Sequence, residues 1–313
     1  MELATNITLL LAGISILVWG ANKFVDHASI LAKHLGISDL VIGLTLIAFG
    51  TSAPEIFVGI SAVLNGNDDI ALGTAIGSNI SNIALIFGIA CVYFNVSLQT
   101  QLWNLLPFGL SVALLGFTLI DGSISVDESL GFVGVLMLFM FMLMKTDGMT
   151  GEESSDAPEF RKSLFLSMIG LLGLIAGAHI AIIYAENAAL LLGIPELIIG
   201  LTIIALGTSL PELAATIAAL TKGKQQMVVG NIIGSNVFNL VFIIPIIGFF
   251  GSAPLNPMVM QRDFYILAAL SAVLIVLVFA LTKFKFKRAL FVAAGIALVG
   301  SYILYIGLLS GVV

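Results

Sequence analysis

The sequence predicts an all-α polytopic membrane protein, with ten transmembrane helices arranged as two inverted five-helix repeats. Three observations carry this expectation: the composition, the spacing of the apolar stretches, and a repeat held in one register. Of 313 residues, 59 % are hydrophobic and 10 % charged, whereas soluble domains are roughly a quarter charged. So few charges cannot clothe a water-facing surface. A soluble enzyme, a nucleic-acid binder and a secreted scaffold are excluded as main readings, and a net charge of −6 also opposes nucleic acid as a partner.

The apolar residues arrive in stretches of about twenty, long enough to cross a hydrocarbon core of roughly 30 Å. Polar breaks delimit ten of them, at 5–33, 39–64, 70–94, 102–120, 129–146, 163–190, 196–220, 226–250, 263–282 and 288–310. The first lacks the basic flank of a secretory signal and runs on past Trp19 towards Lys33, so it reads as a retained span. An even number of spans puts both termini on one side. Placing them outside leaves Lys33, Lys145, Arg161, Lys162, Lys222, Lys224, Lys283, Lys285, Lys287 and Arg288 in the cytoplasm and only Arg262 outside, with Lys23 inside the first span. The positive-inside rule therefore predicts a multi-pass protein of the cell membrane with extracellular termini. External turns are acidic or neutral, as at Asp68, Asp69, Asp127 and Glu128.

Residues 147–162, rich in Gly, Ser, Asp and Glu, read as a cytoplasmic linker between a first repeat at 1–146 and a second at 163–313. They lack the spacing and glycine of an EF-hand calcium loop. The single cysteine, Cys91, excludes an internal disulfide and a cysteine metal cluster.

The repeat is gapless. Leu40 to Ile56 reads LVIGLTLIAFGTSAPEI, and Leu197 to Leu213 reads LIIGLTIIALGTSLPEL, identical at twelve of seventeen positions. The same offset of 157 residues aligns Leu35-Gly36-Ile37 with Leu192-Gly193-Ile194, and GTAIGSNISN (Gly73 to Asn82) with GNIIGSNVFN (Gly230 to Asn239). Five spans per repeat is an odd number, so the second copy enters the membrane from the opposite side. Inverted repeats are the architecture of many secondary transporters, whose sites lie near the bilayer midplane where interrupted helices of the two halves meet.

Within the repeats, Glu55 and Glu212 fall near the middle of their spans. A bare carboxylate there costs roughly 2.5–3.5 kcal/mol, so it is protonated, paired or bound to a cation. Apart from Lys23, every basic residue lies at a span end or in a loop, which leaves neither glutamate a counter-ion. Pro54 and Pro211 lack an N–H, so the carbonyls of Gly50 and Gly207 lose their helical donors, and carbonyls of the loosened turn can face a ligand. Thr51 and Thr208 lie one turn before the glutamates, with Ser52 and Ser209 alongside. Ser78 and Asn82, like Ser235 and Asn239, are four residues apart and share a helical face. These donors are all oxygens, while His27, His34 and His179 are scattered, so the set suits calcium or sodium better than zinc or copper.

At this point the sequence resembles a known family. GTSAPE with GSNISN, and GTSLPE with GSNVFN, are similar to the two alpha-repeats of the sodium/calcium exchangers of the cation/calcium exchanger superfamily. The resemblance implies ten helices with the binding sites between the second, third, seventh and eighth. It makes Glu55 and Glu212 the central carboxylates and the backbone carbonyls of Thr51 and Thr208 their calcium-binding companions. Ala48, Ser52 and Ser78, with Ala205, Ser209 and Ser235, would line flanking sodium sites, and Asn82 and Asn239 would complete the centre. Potassium-dependent relatives have aspartate where this chain has Asn239, which disfavours potassium co-transport. Proton-coupled relatives carry a glutamate after the glycine-asparagine motif, where Gly230-Asn231 is followed by Ile232, Ile233 and Gly234; that disfavours proton coupling. The sixteen-residue linker has no room for the regulatory domain of animal exchangers.

The expected activity is exchange of sodium for calcium by alternating access; the resemblance implies that the long first and sixth spans slide as the gate. More than two sodium ions per calcium would make it electrogenic. A calcium/proton antiporter on the same glutamates and a passive cation channel are the alternatives. An intramembrane enzyme finds no HExxH motif, paired aspartates or serine/histidine arrangement. No cofactor, only the transported ions, and no protein partner besides the lipid bilayer are expected.

Overall fold

The structure is a computed structural model that describes residues 2–93, 102–145, 157–194, 207–251, 255–283 and 288–310. Every regular element among them is helical. The first part of the chain forms α1 (Glu2–His34), α2 (Asp39–Leu64), α3 (Asp68–Tyr93), α4 (Trp103–Thr118) and α5 (Val126–Lys145). The second forms α6 (Ala157–Leu191), α7 (Leu210–Thr221), α8 (Gln225–Phe250), α9 (Tyr265–Lys283, entered through a π-helical turn over Val259–Phe264) and α10 (Arg288–Ser310). Among the described residues eight helices are long and apolar enough to cross a membrane, and α4 and α7 are shorter apolar helices.

Helix ends follow local chemistry. The hydroxyl of Ser38 accepts from the Val41 amide at 3.3 Å and caps α2. A reciprocal box starts α5: the Ser125 amide donates to Glu128 Oε2 at 2.7 Å and the Glu128 amide to Ser125 Oγ at 3.3 Å, which brings the helix start to Val126 rather than residue 129. Positive φ angles end α1 at Gly36 (64°) and α2 at Gly66 (74°), and end α6 at Gly193 (76°) and α7 at Gly223 (68°). These are two pairs, each separated by the 157-residue offset. Helix α6 begins at Ala157, so residues 157–162 of the expected linker are helical; Pro158 suits the first turn, and Glu159 there lies 3.6 Å from His34 Nε2. Residues 147–156, with Lys285 and Lys287, lie outside the described residues.

Helices α1 and α6 run antiparallel along a seam of glycines. A methyl built on Gly20 would overlap the backbone of Leu174, and one on Gly177 the backbone of Leu17; Gly13 meets Ala181 and Gly170 meets Phe24 in the same way. Shifting either contact of each pair by the offset produces the other, so the seam has a local two-fold axis. Such close backbone approach is what small residues permit between membrane helices. Helices α2, α3 and α8 form the interior. About 78 % of the most apolar window of α3 and of α8 is buried, against 17 % for α1. Gly43 and Gly230 bring α2 onto α8, where an added Cβ would strike the carbonyls of Met227 and Leu40. The outer helices turn large apolar side chains outwards, among them Leu11, Trp19, Met137, Phe165, Val276 and Ile303, an exterior suited to acyl chains rather than water.

Candidate cation site

The interior helices carry the polar residues of the repeated motifs into a place where water would otherwise be needed. Ala48, Thr51, Ser52 and Glu55 on α2 are all fully buried. So are Ser235 and Asn239 on α8, and nearly so Ser209, Glu212, Ser78 and Asn82. Thr208 is half-buried in the turn before α7. Ala205 lies outside the described residues, as does the segment 196–206.

Glu55 and Glu212 are brought together from opposite halves. Ser52 lies one helical turn before Glu55, on the same face, and its hydroxyl donates to Glu212 Oε1 at 3.1 Å. Among the described residues, both oxygens of Glu55 and Oε2 of Glu212 are buried with no hydrogen-bond partner, as are Ser209 Oγ, both amide atoms of Asn82, and the Oδ1 atoms of Asn236 and Asn239. Buried polar atoms are almost always bonded. Such a cluster of buried polar atoms, with no lysine or arginine in reach among the described residues, is a candidate site for a cation. No group of three or more His, Cys, Asp or Glu occurs among the described residues. The rest of any ligand set consists of neutral hydroxyl, amide and carbonyl oxygens, the donors of hard cations.

The helix interruption expected at both prolines differs between the halves. Helix α2 continues through Pro54 to Leu64, with its irregularity displaced to a π-helical turn at Gly43–Ile47. A proline costs the helix one hydrogen bond and a steric clash with the preceding turn, and packing on both sides can hold the remainder in place. In the second half Gly207 is helical, Thr208 and Ser209 form a turn before Pro211, and α7 runs on from Leu210; the residues before Gly207 lie outside the described residues.

Other predicted neighbours meet across the helices. Ser235 Oγ donates to the Ala48 carbonyl at 3.4 Å, joining α8 to α2. Ser78 is buried on α3 one turn before Asn82. The structure adds four residues. Asn79 Nδ2 donates to the Asn236 carbonyl at 3.0 Å, and Asn239 Nδ2 donates to Asn79 Oδ1 at 3.2 Å. Thr51 Oγ1 donates to Asn231 Oδ1 at 3.3 Å, and Asn231 Nδ2 to Thr216 Oγ1 at 3.3 Å. Asn79 and Asn236 stand in the repeated GSN triplet, so the repeat itself marked them. Asn231 and Thr216 align by the offset with Thr74 and Gly59; Asn231 stands in the glycine-asparagine pair that opens GNIIGSNVFN, while nothing in the sequence distinguished Thr216.

The family model for the sodium/calcium exchanger protein matches residues 5–145 and 162–311. The inner membrane protein YrbG of Escherichia coli strain K12 is 34 % identical, over 99 % of this chain and 97 % of its own length. The sodium/calcium exchanger MaX1 of Methanosarcina acetivorans is 31 % identical, over 91 % of this chain and 94 % of its own. Among solved structures, the sodium-calcium exchanger NCX_Mj soaked with sodium and calcium superimposes with a TM-score of 0.82 at 30 % identity, over 97 % of this chain and 98 % of the other. Matched in both halves and from end to end by its relatives, this multi-pass membrane protein belongs to the sodium/calcium exchanger protein family, a family of transporters rather than enzymes.

Proposed function

We propose that the chain is a secondary antiporter that exchanges sodium for calcium by alternating access, with ten transmembrane helices in two inverted five-helix repeats. The observation that carries the reading is the pair of buried, uncompensated carboxylates, Glu55 and Glu212, with three of their four oxygens unbonded. Two negative charges match one calcium ion. The four carboxylate oxygens and the Thr51 and Thr208 carbonyls approach its usual complement of about six to eight oxygens. Sodium ions occupy the same oxygens together with those of Ala48, Ser52, Ser78, Ala205, Ser209 and Ser235, while Asn82 and Asn239 close the centre. Because the ions share ligands, calcium leaves when sodium arrives. Two sodium ions balance the site; a third carries net charge and makes transport voltage-sensitive. The two-fold seam supports α1 and α6 as the gate, since their glycine-lined backbones can slide past one another. The excess of lysine and arginine in alternate loops supports external termini and a cytoplasmic linker.

The test is radiolabelled calcium uptake into proteoliposomes under separately imposed sodium, potassium and proton gradients. An outward sodium gradient drives uptake. A pH gradient that fully replaces sodium turns the reading to proton antiport, and saturation-free flux without any counter-ion turns it to a channel.

A further inference from the structure

Asn79 belongs to no ligand set described above, yet it fixes which atom Asn239 presents to the centre. An asparagine amide has two ends, one donating and one accepting, and only its surroundings decide which end points where. The Asn236 carbonyl can only accept. The atom of Asn79 lying 3.0 Å from it is therefore Nδ2, and Oδ1 is the end left for Asn239. That oxygen in turn can only accept, so Asn239 turns Nδ2 towards it at 3.2 Å. Asn239 Oδ1 is left buried and unbonded. All three residues are fully buried, so water does not compete for these bonds.

We propose that Asn79 is a positioning residue for cation binding: it holds Asn239 as a pure acceptor, so that the exchanged ion meets a carbonyl oxygen and never an N–H. The inference rests on the sodium/calcium exchange reading, and it explains how a neutral amide serves where a carboxylate would present oxygen in either orientation. Freed from Asn79, the Asn239 side chain could turn its NH2 group towards the ion and repel it. Asn79 is then to Asn239 what an outer-shell partner is to a metal-bound histidine: it sets orientation without touching the ion.

The experiment is a double-mutant cycle on exchange in proteoliposomes. Asn79→Leu keeps the branched shape of the side chain, somewhat enlarged, and removes both hydrogen-bonding ends. It weakens apparent calcium affinity roughly tenfold or more, while the maximal rate stays within about twofold. Asn239→Asp, whose two oxygens are equivalent, needs no orientation, and one of them faces Asn79 Oδ1, a second acceptor, so Asn79→Leu added to Asn239→Asp weakens calcium affinity by no more than about twofold. Recovery of affinity in that double variant also shows that Asn79→Leu folds. Unchanged affinity in Asn79→Leu, or an equal loss in both backgrounds, overturns the proposal. Absence of sodium-driven calcium uptake in the unmodified protein would instead overturn the exchange reading on which it rests.

Discussion

The segments Leu40–Ile56 and Leu197–Leu213 agree at twelve of seventeen positions, yet their chemistry differs once folded. Glu212 receives the Ser52 hydroxyl, whereas the equivalent bond from Ser209 to Glu55 is absent and both groups are left unbonded. Asn239 is held by Asn79; Asn82, its counterpart, has neither amide atom bonded. Helix α2 continues through Pro54, while α7 begins just before Pro211. Near-identical sequences in one chain thus occupy two different arrangements. On the exchange reading proposed above, that asymmetry is what alternation needs, because a perfectly symmetric molecule would open equally to both sides. The α1–α6 seam differs from the centre in keeping its two-fold contacts.

The strongest way to break this comparison is at the carboxylates. Glu55→Gln and Glu212→Gln each reduce exchange by about 100-fold or more, beyond the usual cost of an outer-shell partner, despite their different surroundings. Stability separates them. In cation-free detergent Glu55→Gln raises the unfolding free energy by about 1–3 kcal/mol, since it removes a buried carboxylate with no partner. Glu212→Gln gains less, because the Ser52 hydroxyl already bonds one oxygen. Equal thermal shifts for the two variants would erase the distinction between the halves.

Next comes the seam. Gly20→Leu and Gly177→Leu drive side chains into the facing backbone, an overpacking worth about 1–3 kcal/mol, and slow exchange by roughly tenfold in matched fashion. Unequal rates would mean that the seam is not functionally two-fold.

Smaller effects follow for the serines. Ser52→Ala removes a bond of this conformation, worth about 0.5–1.5 kcal/mol, and shifts the population away from it. Ser209→Ala removes only a bond of the mirrored conformation and shifts the population the other way. Labelling of a cysteine introduced near the site reads the shift, since native Cys91 is fully buried. Shifts of the same sign would contradict two exchangeable states.

The smallest effect is at the α7–α8 turn. Lys222 Nζ lies 2.7 Å from Asp26 Oδ1 and donates to the Asn22 carbonyl at 3.0 Å, tying the α7–α8 turn to α1, and Lys224 pairs with Asp39 at 2.9 Å. The offset places Asn65 and Asn67 opposite these lysines, so the first half has no such tie. Lys222→Gln changes site accessibility about twofold to fivefold, as partly exposed pairs contribute ~0.2–1 kcal/mol. Adding Asp26→Asn produces little further change if the two residues act as a pair.

Much of this protein was legible in its residues. The apolar stretches foretold the helices because a bilayer demands about twenty apolar residues whatever surrounds them. The two glutamates stood out because charge is scarce and the repeat duplicates them. Helix ends were less legible: Glu128 reads as a loop charge until its box with Ser125 draws α5 back to Val126, and Glu159 as a linker charge until α6 places it beside His34. Thr216 gave no signal and Asn231 no partner, since the bond from Thr51 to Asn231 joins helices 180 residues apart in sequence.

The sequence by itself determined the helical membrane class, the repeat, the burial of Glu55 and Glu212 without counter-ions, and the oxygen character of their neighbours. All of these follow from properties read within one helix turn or one bilayer thickness. Only the tertiary structure decided which member of each repeated pair is bonded: Ser52 rather than Ser209, Asn239 rather than Asn82. Such choices depend on how far one helix has shifted against another by a fraction of a turn, and two nearly identical segments cannot encode different answers on their own. Packing against α1, α6 and each other breaks the tie.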